Sequence, residues 1–152
     1  MNENALPNEN ALPDGNARLN ENALLYEYAV LRYVPRVERE EFINVGLLMM
    51  CKRRRWLRCA FTLDHARLAA FDARADFDAL EQQLAMFGPE TTAMSGNPVE
   101  ERFRWLTAVK SCVIQTSRPH PGLIPCQESP SAESAARLLD ATFDRLYTDL
   151  VL

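Results

Sequence analysis

Phe42-Ile43-Asn44-Val45-Gly46-Leu47-Leu48-Met49-Met50-Cys51 follows directly on Arg36-Val37-Glu38-Arg39-Glu40-Glu41. Five charged residues give way to a nearly unbroken apolar run. Read with the two-residue period of a strand, Ile43, Val45, Leu47, Met49 and Cys51 share one face. Phe42, Asn44, Gly46, Leu48 and Met50 share the other. A strand apolar on both sides belongs in the middle of a sheet. Asn44 and Gly46 interrupt the run where a buried strand would carry more Val or Ile. A buried amide must be satisfied, against a neighbouring backbone, a helix end or a ligand. Gly46 marks either a bulge or a close backbone approach.

The flanking segments set the rest of the fold. Tyr26–Val34 is aromatic and β-branched and ends at Pro35, as a strand does. Lys52–Arg55 is a basic turn, and Trp56–Thr62 closes a hairpin with the central strand. Asp64 and Asp76 are placed as N-caps of two helices, the second ending at Gly88-Pro89. Asn97-Pro98 opens a third helix, with Asn97 as its cap. Ser111–Thr116 predicts a fourth strand, and Ser117–Pro130, with four prolines and one glycine, a long loop. The apolar stripe Ala135, Leu138, Leu139, Thr142, Phe143, Leu146 and Leu150 predicts a final helix over residues 131–152. The expectation is an α+β fold. A four-stranded antiparallel sheet, a three-strand meander plus one later strand, is covered by helices on one face as a two-layer sandwich.

The chain has 152 residues, enough for one core. Residues 1–25 carry a six-residue period, read as NENALP twice, DGNARL and NENALL. That period matches neither helix nor strand, and the segment is expected to be a disordered tail ahead of a single domain over residues 26–152. The tail holds Glu3, Glu9, Asp14 and Glu21 against Arg18, which leaves the domain with −1 of the net −4. A nearly neutral domain carries no global field toward nucleic acid or an anionic membrane. No apolar run reaches the roughly 20 residues of a membrane span, and no secretory leader is evident, so a cytoplasmic setting is expected. Cys51, Cys59, Cys112 and Cys126 form no Cys-x-x-Cys pair, and only His65 and His120 could join them. Neither a metal site nor a cofactor is expected, and the thiols read as free.

Candidate binding residues come from three places. Arg36, Glu40 and Glu41 lie in the charged connection, where they either pair with one another in solvent or turn an arginine and a carboxylate into a pocket. Asn44 belongs with Arg32, a charge within a strand that needs a partner. Arg102 lies near the start of a helix, and Gln115, Ser117 and His120 lie at a strand end and in the following loop. Ser117 and His120 have the chemistry of a nucleophile and base, but the chain contains no Gly-x-Ser-x-Gly elbow and no identifiable orienting acid, so no catalytic residue is assigned. Glycine-rich phosphate loops are lacking too. Lys52, Arg53, Arg54 and Arg55 could contact nucleic acid or could solubilise a sheet edge.

Two blocks carry a family resemblance. Tyr28-Ala29-Val30-Leu31-Arg32-Tyr33-Val34-Pro35-Arg36-Val37-Glu38-Arg39-Glu40-Glu41-Phe42-Ile43-Asn44-Val45-Gly46 is similar to the opening of the bacterial domain-of-unknown-function family 3037. The segment Glu101-Arg102-Phe103-Arg104-Trp105-Leu106, continued by Val113–Ser117 and His120-Pro121-Gly122-Leu123, also resembles it. The chain departs from the pattern at Pro119 and Pro121, which puts in doubt a role needing a hydroxyl beside His120. The family brings no established activity. The resemblance implies small cytoplasmic bacterial proteins, some encoded beside kinases similar to the HipA type. It therefore implies an accessory or regulatory role; the lack of obvious catalytic groups and an apolar, Met- and Trp-containing sheet add the expectation of a non-enzymatic interaction module with a protein partner. The alternative is an enzyme or binding domain for a phosphorylated or nucleotide-like small molecule. Its site would need Arg32, Arg36, Glu40, Glu41, Asn44, Arg102, Gln115 and His120 to converge.

Overall fold

A computed structural model describes residues 22–88, 96–108 and 113–152. The repeat tail up to residue 21, most of the loop expected at 90–96, and Cys112 lie outside the described residues. The elements run β1 (Leu24–Tyr33), a 3-10 turn (Val37–Arg39), β2 (Ile43–Cys51), β3 (Trp56–Phe61), α1 (His65–Phe71), α2 (Phe77–Ala85), α3 (Val99–Thr107), β4 (Ile114–Thr116), β5 (His120–Ile124) and α4 (Ala132–Leu150). All strand pairs are antiparallel, in the order β3-β2-β1, with β4 and β5 both on the far edge of β1. The α+β class and the meander are as expected.

Three expectations are corrected. First, the sheet has five strands rather than four. The segment read as a loop contains β5, which pairs with β1 from Leu24↔Ile124 to Tyr28↔His120. Pro121 is tolerated because β5 is an edge strand. Val30 directs its N–H and C=O toward this edge, so alternation places Pro121, opposite Glu27, where a missing N–H faces outward.

Second, helices cover both faces. Ala29, Leu31, Tyr33, Val45, Leu48 and Met50 pack with Leu68, Leu80, Leu84, Phe103 and Leu106 of α1–α3. Leu47, Met49, Cys51, Val30 and Leu24 pack with Ala135, Leu139 and Phe143 of α4. Leu47, Leu48 and Met49 are fully buried. Each such side chain contributes about 1.5–3 kcal/mol of burial, so neither face of β2 could be left to water.

Third, a bulge in β2 moves Val45 off the Leu47 face. The register passes from Leu31↔Gly46 to Arg32↔Asn44, skipping Val45. Val45 therefore packs toward α1–α3, and Asn44 turns to the α4 face with Arg32. Gly46 is required beside the bulge. A Cβ there would lie 2.7 Å from the Ala60 carbonyl oxygen and 2.9 Å from Leu31 Cδ1.

The helix starts follow the cap chemistry. Asp64, Asp76 and Ser131 accept hydrogen bonds from the backbone N–H groups of Arg67, Ala79 and Ser134. The third helix begins one residue later than expected. Pro98 is its cap residue, and Asn97 instead donates to Glu101 through Nδ2.

Candidate functional site

The β4–β5 edge explains two of the candidate residues. Ser117 lies between the two strands and is 4% exposed. Its N–H donates to the Val30 carbonyl, and its Oγ accepts from the Val30 N–H at 2.8 Å. The same hydroxyl donates to the Arg118 carbonyl. It therefore replaces a missing backbone acceptor where Arg118-Pro119 shifts the register by one residue. His120 is exposed, and its ring lies 5.3 Å from that of Tyr28. Ser117 is committed to the sheet, and no Ser–His dyad is assembled.

Asn44, Arg32 and Gln115 form one rung across three strands on the α4 face. Asn44 Nδ2 donates to the Leu150 carbonyl at 2.9 Å, and Arg67 donates to the Val151 carbonyl at 3.0 Å. These two bonds satisfy carbonyls that the C-terminal turn of α4 cannot pair internally. Asn44 thus bonds a helix end, one of the two structural readings of its amide. The Arg32 guanidinium lies 4.1 Å from the centroid of the Phe42 ring. The Arg32 Nε and Asn44 Oδ1 atoms are buried, and among the described residues neither has a hydrogen-bond partner.

The charged connection pairs with itself. Arg36 bonds Glu38, and Arg39 bonds Glu41 in a fork of two 3.0 Å contacts, all in solvent. A bond from its own backbone N–H, then Arg36, lowers the Glu38 carboxyl, while Glu41 raises Arg39. Glu40 is exposed and adopts φ 55 as the residue ending the 3-10 turn. Arg102 is elsewhere: it lines a 210 Å³ hollow with Leu48, Leu57, Cys59 and Phe87 on the α1–α3 face. The eight residues that would have to converge for the small-molecule reading therefore divide between the two faces of the sheet and the exposed β1–β2 connection.

The basic turn is partly structural. Arg54 donates to the Pro130 carbonyl at 2.8 Å, which ties the hairpin to the segment before α4. Cys51 and Cys59 belong to opposite faces, and Cys51, Cys59 and Cys126 are free thiols. Burial pushes the Cys59 thiol up to about 12.

Two features carry no distinctive residue pattern. One is the outer edge of β3. Thr62 N–H donates to the Val45 carbonyl, so antiparallel alternation directs Ala60, Arg58 and Trp56 toward β2. Leu57, Cys59 and Phe61 then present their N–H and C=O groups outward, and among the described residues no strand takes them. Their side chains pack against the α1–α3 core. The side chain of Arg58 turns to α4, bonding Asp140 at 3.2 Å and Asp144 at 3.1 Å over the Phe143 ring. The strand is thus held firmly from both faces, with its edge open. Its only sequence signal was the absence of proline from residues 56–61. The other feature is a cleft beside Tyr33 at the end of β1, which long-range packing alone brings together.

Residues 28–151 match the model of a family described as a protein of unknown function (DUF3037). No curated protein and no solved structure matches the chain. Among the described residues, no helix is long and apolar enough to cross a membrane.

Proposed function

We propose that this chain, which belongs to the DUF3037 family, is a non-enzymatic interaction module that takes up an extended segment of a protein partner along the outer edge of β3. One observation carries the reading: the two edges of the sheet differ. The β4–β5 edge is broken at Arg118-Pro119 and blunted by Pro121, devices that prevent a strand from adding there. The β3 edge has neither. Leu57, Cys59 and Phe61 offer three donors and three acceptors in register, the pattern an added strand reads. The exposed Lys52, Arg53 and Arg55 at its start favour a partner segment with acidic residues at that end. The sequence resemblance implies a kinase similar to the HipA type as the first partner to test.

Proline at Leu57 is the discriminating change. The Leu57 N–H points outward, so Leu57→Pro removes a donor from the edge without removing a bond to β2. The tagged protein is used to capture the partner from its host, alongside Leu57→Pro and the remote control Arg137→Gln. A partner retained by wild type and Arg137→Gln but lost by Leu57→Pro, with a cooperative melt in each, supports the reading. A partner that Leu57→Pro retains undiminished sinks it.

A further inference from the structure

We infer that the cleft between the end of β1 and the start of α2 is a binding site for a small molecule in which an oxyanion, phosphate monoester or carboxylate, is attached to an apolar body. The cleft encloses about 470 Å³, within the range of small-molecule sites. Its inner wall is Tyr33, Leu80 and Val113; its rim is Arg36, Asp72, Arg74 and Asp76.

The ligand class follows from which polar groups are already committed. Asp72 is engaged through both oxygens: one accepts the Tyr33 hydroxyl and the other the Arg74 backbone N–H at 3.0 Å. Asp76 Oδ1 caps α2 through the Ala79 N–H at 3.1 Å. Both acids on the rim are thus anchored by donors of the protein itself. The arginines are committed only weakly. Among the described residues no carboxylate lies within salt-bridge distance of the Arg74 guanidinium. Arg36 meets only Glu38, in a pair of side chains 64% and 65% exposed. Such an exposed pair yields readily to a better acceptor. The weakly committed donors in the cleft are these two guanidinium forks, whose planar geometry suits an oxyanion. The apolar wall behind them takes the rest of the ligand.

Tyr33 fits this role as a fixed wall. Burial, then the Asp72 carboxylate, raises its hydroxyl above the usual value near 10, so it keeps its proton and its bond to Asp72 at physiological pH. It orients Asp72 and does not compete for the anion. The site is independent of the β3 edge, since Leu57, Cys59 and Phe61 take no part in it.

The test is an NMR titration of the full-length protein with phenyl phosphate, with benzyl alcohol as the uncharged counterpart. A ligand of this size should bind with a dissociation constant on the order of a millimolar. Saturable shifts centred on the amides of Tyr33, Arg74 and Ala79 are expected. Arg74→Gln and Arg36→Gln should each weaken binding about ten-fold, the loss of one charge-assisted contact. Both side chains are at the surface, so both variants should keep the wild-type melt. The inference is overturned if the shifts fail to saturate, if they map outside the cleft, if benzyl alcohol binds as well as phenyl phosphate, or if both arginine variants bind as tightly as wild type.

Discussion

Replacing Ser117 by alanine isolates one hydrogen bond that the β1 edge cannot do without. The hydroxyl accepts the Val30 N–H at 2.8 Å where no backbone carbonyl is in register to do so. Ser117 is 4% exposed and Val30 6%, so water cannot readily replace it. Stranding a buried donor costs about 1–3 kcal/mol. For a domain of this size each kcal/mol moves the melting temperature by roughly 3–4 °C, so Ser117→Ala should melt roughly 3–12 °C below wild type. Chemical denaturation should show the same loss through a lower midpoint at an unchanged slope. Amide exchange supplies a local readout: the Val30 N–H should lose protection more than Ala29 or Leu31, which face β2 in the same strand. A stability change under about 0.5 kcal/mol, with the Val30 amide still protected, would refute the argument that the hydroxyl is a substitute rung of the sheet.

Gly46→Ala should cost more than Gly122→Ala, as read by urea denaturation. At Gly46 the added Cβ meets a backbone oxygen at 2.7 Å, whereas at Gly122 it meets the far end of the Tyr26 ring, which can swing away at the cost of its burial. Tyr33→Phe should remove a pH dependence. Because the folded phenol is raised, the wild-type advantage over Tyr33→Phe should hold below about pH 10 and shrink above it by at most about 1.4 kcal/mol per pH unit, measured by denaturation at successive pH values. Iodoacetamide at pH 8, followed by peptide mass spectrometry, should label Cys126 well before Cys59, whose thiol is pushed up to about 12.

The candidate site was less legible than the fold. Arg32, Asn44 and Gln115 were each singled out, and they do share one rung. That Asn44 donates to the Leu150 carbonyl at the end of α4 follows from helix placement that local pattern does not encode, and Arg32 lies over the Phe42 ring. Arg36 and Glu41 pair at the surface with Glu38 and Arg39, each two residues away, and Glu40 is exposed at the end of the 3-10 turn, so the three do not converge with Asn44. Tyr33 and Asp72, 39 positions apart, meet only because α1 ends beside β1.

Sequence alone determined the meander, the capped helices and the centrality of β2, because alternation, cap residues and a doubly apolar run are local consequences of side-chain chemistry. It also contained, in that doubly apolar run, the demand for cover on both faces. Tertiary structure decided what local pattern leaves open. It drew a proline-bearing segment into the sheet as β5, because β1 had an unpaired edge and Pro121 could face outward. Through a bulge it exchanged the faces that plain alternation assigns to Val45 and Asn44, which sets Asn44 against the end of α4. Among the described residues it left β3 as the one long unblunted edge, because which strand lies outermost depends on pairings between residues far apart in the chain.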